Sequence, residues 1–158
     1  PILAKTVHGK KLVFLDSGAS AQKPRQVIQA MTRCMEEADA NVHRGAYHLS
    51  EAATEAHEAA RAAVARFLNA AQPNEIVFTR NSTEAVNLVA HSFGRALLKP
   101  GQVVLVSEME HHANIVPWQM LRDDTSCGGL GIGLRFIRVT DAGELDMDHL
   151  AEELAKGD

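Results

Sequence analysis

The apolar run Val103-Val104-Leu105-Val106 follows Pro100-Gly101 and stops at Ser107. So short a run, with no polar residue on either alternate face, suits a strand covered on both sides, as parallel sheets require. Its surroundings repeat the theme. Before it, Val86, Val89, Ala90, Phe93 and Leu97 lie at helical spacing from about Ser82, and Pro100-Gly101 closes that stretch. After it come a loop from Glu108 to about Asn114, a helical stretch ending near Asp123, and a glycine-rich segment over 126–133. A strand over 134–139 and a helix over 146–154 complete the series. Strand and helix in alternation predict an α/β fold, with a mostly parallel sheet flanked by helices.

The first half reads less regularly. Residues 11–16 predict a short strand, broken by Ser17-Gly18-Ala19-Ser20. Pro24 sits where a first helical turn can begin, with Val27, Ile28, Met31 and Met35 following at helical spacing. Residues 39–49 read as a loop. Residues 50–69 are rich in Ala, Glu and Arg and predict a long helix, with Ala53, Ala56, Ala60, Val64, Phe67 and Leu68 on its apolar face. Pro73-Asn74 interrupts, and residues 75–79 predict a buried strand.

Composition narrows the function classes. The 158 residues are 46% hydrophobic and 23% charged, with a formal charge of −4 and acids and bases interspersed. No basic stripe suggests nucleic acid. No apolar run reaches the ~20 residues that span a bilayer, and residues 1–5 begin no signal peptide. Without an initiator Met, the chain is expected to be processed or cut from something longer. Cys34 and Cys127 are far apart, fit a reducing cytoplasm and show no metal-type spacing. The run Gly128-Gly129-Leu130-Gly131-Ile132-Gly133 lacks the spacing of a dinucleotide loop and reads as a turn.

Three stretches carry chemistry. In Thr79-Arg80-Asn81-Ser82-Thr83-Glu84 a predicted strand gives way to a helix, and Asn81 with Glu84 has capping-box spacing. The free amides at such a start, with the Ser82 and Thr83 hydroxyls, can cradle a phosphate; a bare helix cap is the alternative. Ser107-Glu108-Met109-Glu110-His111-His112-Ala113-Asn114 follows a strand, where α/β proteins place ligands. His111 there can shuttle a proton, stack on a cofactor or be structural. A metal-dependent hydrolase using Glu108, Glu110, His111 and His112 is a weaker reading, since the spacing suits no single metal. Asn41-Val42-His43-Arg44-Gly45-Ala46-Tyr47-His48 can hold an anion such as a carboxylate, or be a solvated loop.

These segments together resemble the class V aminotransferases of fold-type I, in their cysteine desulfurase and selenocysteine lyase branch. The matching stretches are residues 15–24 (Leu-Asp-Ser-Gly-Ala-Ser-Ala-Gln-Lys-Pro), 42–45 (Val-His-Arg-Gly), 82–84 (Ser-Thr-Glu) and 109–119 (Met-Glu-His-His-Ala-Asn-Ile-Val-Pro-Trp-Gln). The resemblance reaches to Leu154. It implies an incomplete large, cofactor-binding domain over 1–158, whose first 50 or so residues form the substrate-side loop, and a pyridoxal phosphate cofactor.

By the same resemblance His111 is catalytic, stacking on the cofactor ring and assisting proton transfer, with His112 in support. Ser82 and Thr83 hold the cofactor phosphate. Gly18 and Ala19 lie beside the substrate, and Gly18 replaces an Ala of many relatives. His43 and Arg44 border the entrance or the partner subunit's site. No metal ligand is implied. The implied reaction takes sulfur from L-cysteine, leaving alanine, and passes it to a sulfur-acceptor protein for iron–sulfur assembly, in a cytoplasmic homodimer. Selenocysteine lyase is the near alternative, and a noncatalytic α/β module is one of another class. The family's Ser-Gly-His-Lys type motif, its Asp for the pyridine nitrogen, its cysteine nucleophile and its carboxylate-binding Arg find no counterpart in this sequence. Cys127 stands outside any family cysteine motif. Lys156-Gly157-Asp158 therefore reads as a truncation point, and the isolated chain is expected to be inactive.

Overall fold

The computed structural model describes residues 2–123 and 129–157. Cys127 and the start of the glycine-rich run lie outside the described residues. The chain divides into two compact units, Pro1–Val77 and Phe78–Asp158.

The first unit is mostly helical. A short 3₁₀ turn, Ile2–Ala4, precedes β1 (Thr6–Val7) and β2 (Lys10–Lys11), which pair antiparallel. His8 and Gly9 make the reversal in left-handed backbone. The strand expected over 11–16 ends at Lys11. Val13 and Leu15 beyond it are 74% and 90% exposed, because no described strand pairs with them. A strand needs a ladder partner, and an apolar run alone does not supply one. Helix α1 (Arg25–Glu37) starts just after Pro24. Helix α2 (His48–Leu68) starts two residues earlier than its sequence pattern predicts. It ends on Asn69, whose left-handed conformation returns its N–H to the Ala65 and Arg66 carbonyls. A 3₁₀ turn, Pro73–Glu75, follows. The buried strand expected over 75–79 does not form: Glu75 ends the 3₁₀ turn, Ile76 is extended, and Val77 and Phe78 are exposed.

The second unit is the α/β part. Helix α3 (Ser82–Val89) runs into a π-helical turn (Ala90–Gly94) and a final α-turn, α4 (Arg95–Leu97). The π-turn shifts the phase of the apolar stripe. Ala90 and Gly94 are buried and Leu98 packs on the same core, whereas Phe93 and Leu97, expected on that face, point outward. Strand β3 (Val103–Ser107) pairs in parallel with β4 (Gly133–Ile137), in register from Val103 opposite Gly133 to Ser107 opposite Ile137. The connection between them contains α5 (Val116–Asp123), the crossover that parallel strands require.

The core lies among Ala90, Leu121 and Ile132, with Leu98, Val104, Trp118 and Leu130 against it. Gly94 permits this packing, since a Cβ there would sit 2.9 Å from Leu121 Cδ1. Helix α6 (Met147–Ala155) is capped by Asp146, whose carboxylate accepts the His149 N–H at 2.9 Å. It packs on β4, where the buried Glu153 pairs with Arg135. Of β3 only Val106 is buried; the other four residues are half-buried, so the strand is less covered than its unbroken apolar run predicts.

Candidate functional site

The start of α3 leaves two backbone amides open. Asn81 has an extended backbone and its side-chain oxygen accepts the Glu84 N–H at 2.9 Å. The Ala85 N–H bonds the Asn81 carbonyl at 3.1 Å. The Ser82 and Thr83 N–H groups have no acceptor among the described residues, and both residues are exposed. Two free amides at a helix start carry partial positive charge toward whatever approaches. Glu84 does not close the expected capping box on Asn81. Its carboxylate takes the Arg80 backbone N–H at 2.6 Å and the Arg80 guanidinium at 2.9 Å. Those two bonds from Arg80, side chain first and backbone second, outweigh desolvation and hold the Glu84 carboxyl below its ordinary value. Arg80 thus pairs with the acid in the first turn of this helix.

Helix α3 packs beside a second element of this unit, the 3₁₀ turn His112–Asn114. His111 precedes that turn in extended backbone, and its Nδ1 accepts the Ala113 N–H at 3.1 Å. A neutral imidazole accepting at Nδ1 carries its proton on Nε2. The exposed ring therefore offers a donor. His112 stands edge-on to it, with ring centroids 6.2 Å apart. The acids nearby face the protein. Glu110 accepts from Ser107 Oγ at 3.0 Å and from Asn114 Nδ2 at 2.9 Å, and Glu108 accepts the Val139 N–H at 3.3 Å. Glu108 and Glu110, two of the four residues weighed as metal ligands, thus spend carboxylate oxygens on the fold.

The remaining expected site residues belong to the first unit. Gly18 and Ala19 lie in an exposed turn over 17–20, closed by the Ser20 N–H on the Asp16 carbonyl at 3.0 Å. Nothing approaches within 4 Å of a Cβ built on Gly18, so an Ala fits there. His43 adopts left-handed backbone at φ 63°. Its N–H donates to Thr54 Oγ1 at 2.9 Å, and its ring Nε2 lies 3.1 Å from Glu58 Oε1. Arg44 is exposed and makes no ion pair among the described residues. Beneath the loop, Ser50 is fully buried and donates to the Asn41 carbonyl at 2.5 Å.

Sequence reasoning missed the partners of His43. His43, His57 and Glu58 bring their donor atoms within 4.8 Å of one another. Arg61 holds two of the three, donating to Glu58 Oε2 at 3.1 Å and to His57 Nε2 at 3.0 Å. The cation of this cluster is therefore a guanidinium. Desolvation acts to raise the Glu58 pKa, but the hydrogen bond and charge of Arg61, helped by His43, leave it lowered. The i, i+3 spacing of Glu58 and Arg61 was the available signal.

A model of the class-V aminotransferases matches residues 13–157. The chain belongs to the class-V aminotransferase family. Among curated members of this family, a probable cysteine desulfurase from Synechocystis is 46% identical over 99% of the chain. A cysteine desulfurase from Yersinia pestis is 49% identical over 96% of it. The chain spans 36% of the length of each. Among solved structures, the apo cysteine desulfurase of Thermococcus onnurineus superposes with a TM-score of 0.78 at 37% identity, covering 88% of this chain and 33% of that one. The cysteine desulfurase CsdA of Escherichia coli gives 0.70 at 38% identity, with 88% and 34% covered. The family fold is thus the α/β fold expected from the sequence.

Proposed function

We propose that this chain supplies the phosphate-holding and ring-facing part of a pyridoxal-phosphate-dependent cysteine desulfurase. The observation that carries the reading is the pair of unbonded amides at Ser82 and Thr83, on a helix start whose own acid is neutralised by Arg80. Such a seat fits a phosphate dianion. Similarity to cysteine desulfurases over nearly the whole chain supports pyridoxal phosphate as the phosphate-bearing group.

In this reading Ser82 and Thr83 hold the cofactor phosphate through their amides and hydroxyls. When bound, the cofactor supplies an electron sink for the bond changes at the substrate carbon. His111 faces its ring and offers the Nε2 proton, while Ala113 keeps Nδ1 engaged. Gly18 and Ala19 lie beside the substrate, and His43 and Arg44 border its entrance or the partner subunit's site, where the Arg44 guanidinium supplies positive charge. The residues belong to one cofactor-binding domain, with the first 50 or so on the substrate side. The substrate is L-cysteine, the product alanine, and the sulfur passes through a cysteine thiol of the whole enzyme to an acceptor protein. The whole enzyme is a homodimer of the cytoplasm. Among the described residues no helix is long and apolar enough to cross a membrane.

No Ser-Gly-His-Lys type motif lies within these 158 residues. The 158-residue chain is therefore expected to bind the cofactor through its phosphate and to form no persulfide. Titration of ¹⁵N-labelled protein with pyridoxal phosphate and with pyridoxal tests this. The phosphate form should move the Ser82 and Thr83 amide resonances, and pyridoxal should not. Equal effects of the two, or persulfide formed from cysteine by this chain, would refute the reading.

A further inference from the structure

His111 sits on a turn whose shape is set by one half-buried carboxylate. Glu110 uses both oxygens, one for the Ser107 hydroxyl at 3.0 Å and one for the Asn114 amide at 2.9 Å. Ser107 ends β3, so the first contact ties the turn to the sheet. Asn114 ends the 3₁₀ turn and accepts the Trp118 indole N–H at 3.2 Å, so the second ties it to α5. Trp118 in turn packs on the core. His111 and Ala113, whose contact fixes the ring, lie between these two anchors.

We infer that Glu110 is a positioning residue for His111: through Ser107 and Asn114 it holds the turn in which His111 accepts the Ala113 amide at Nδ1 and presents its proton at Nε2. Two donors converge on Glu110 from opposite ends of the turn, one at each carboxylate oxygen, so both oxygens are engaged by the fold. The use made of the Nε2 proton rests on reading His111 as the group facing the cofactor; the positioning itself does not.

The ring tautomer is the readout that a merely structural role would not move. Long-range ¹H–¹⁵N NMR of the 158-residue protein at about pH 9, where an ordinary histidine is neutral, reports it directly. Wild type is expected to show His111 as the Nε2–H form. Glu110→Ala should lower the Nε2–H to Nδ1–H ratio about fivefold, the factor that one net hydrogen bond sets. It should also shift the indole N–H of Trp118, the single tryptophan. Glu110→Gln keeps one acceptor and should restore most of the ratio. If Glu110→Ala does not fold, Ser107→Ala and Asn114→Ala each remove one anchor and should lower the ratio. A wild-type ring in the Nδ1–H form, or a ratio unmoved by these variants, overturns the inference. Failure to bind pyridoxal phosphate would sink the functional reading and leave this result standing.

Discussion

Glu84 accepts both the backbone N–H and the guanidinium of Arg80, at 2.6 and 2.9 Å, and so binds the residue before the helix cap instead of the cap itself. The pair depresses the Glu84 carboxyl below its ordinary value of 4.5. Its stabilising effect is therefore full above pH 4.5 and is lost as pH falls through the lower, folded-state value. Amide exchange protection at Glu84 and Ala85, corrected for the intrinsic pH dependence of exchange, should fall across that acid window. Glu84→Gln should remove this change, and a wild-type protection factor that stays constant through the window would count against the pairing.

The Asn81 side chain caps α3. Asn81→Ala should cost about 1 kcal/mol, the usual loss for an N-cap. Chemical denaturation reads the loss in stability. Asn81→Ser should recover most of it, because a hydroxyl reaches the same N–H; equal losses in both variants would argue that the side chain acts otherwise.

Two glycines separate packing from permissiveness. Gly94→Ala places a methyl 2.9 Å from the buried Leu121 Cδ1 and should destabilise by about 1–3 kcal/mol. The better helix propensity of Ala offsets only part of this. Gly18→Ala meets nothing within 4 Å and should leave the melting temperature unchanged. Thermal unfolding of the two variants side by side checks both.

Ser50 is the buried strut of the His43 loop. Its hydroxyl donates to the Asn41 carbonyl, while its own carbonyl accepts Thr54 Oγ1 at 2.7 Å. Ser50→Ala should cost about 1–3 kcal/mol by leaving the Asn41 carbonyl without that donor. Urea titration measures the cost, and a loss under a few tenths of a kcal/mol would show that water replaces the hydroxyl.

The parts of this molecule that were legible in sequence are those decided locally. The strand–helix–strand order of 103–137 follows from apolar runs and punctuation, and the Asn81 cap from residue type and spacing. Residues 11–16 and 75–79 were misjudged because an apolar run states a preference for extension and says nothing of a partner strand. The stripe through Phe93 and Leu97 failed because periodicity assumes 3.6 residues per turn, and Ala90–Gly94 does not keep it. The His43 cluster was invisible because His43 and Glu58 are brought together by the fold of a loop onto α2. Glu110 was seen as an acid near a histidine, and its role emerged only from the two donors that converge on it.

The π-turn at Ala90–Gly94 also acts as an angular setting. Each residue of an α-helix advances the chain by roughly 100° about the axis. The wider turn therefore fixes the rotation between the Gly94 face, locked against Leu121, and the free amides of Ser82 and Thr83 at the other end. Deleting one residue there would leave a regular helix with the same cap and the same core face, but its open end would aim elsewhere. In this protein, the direction in which the open end of α3 faces is written eight residues away from Ser82.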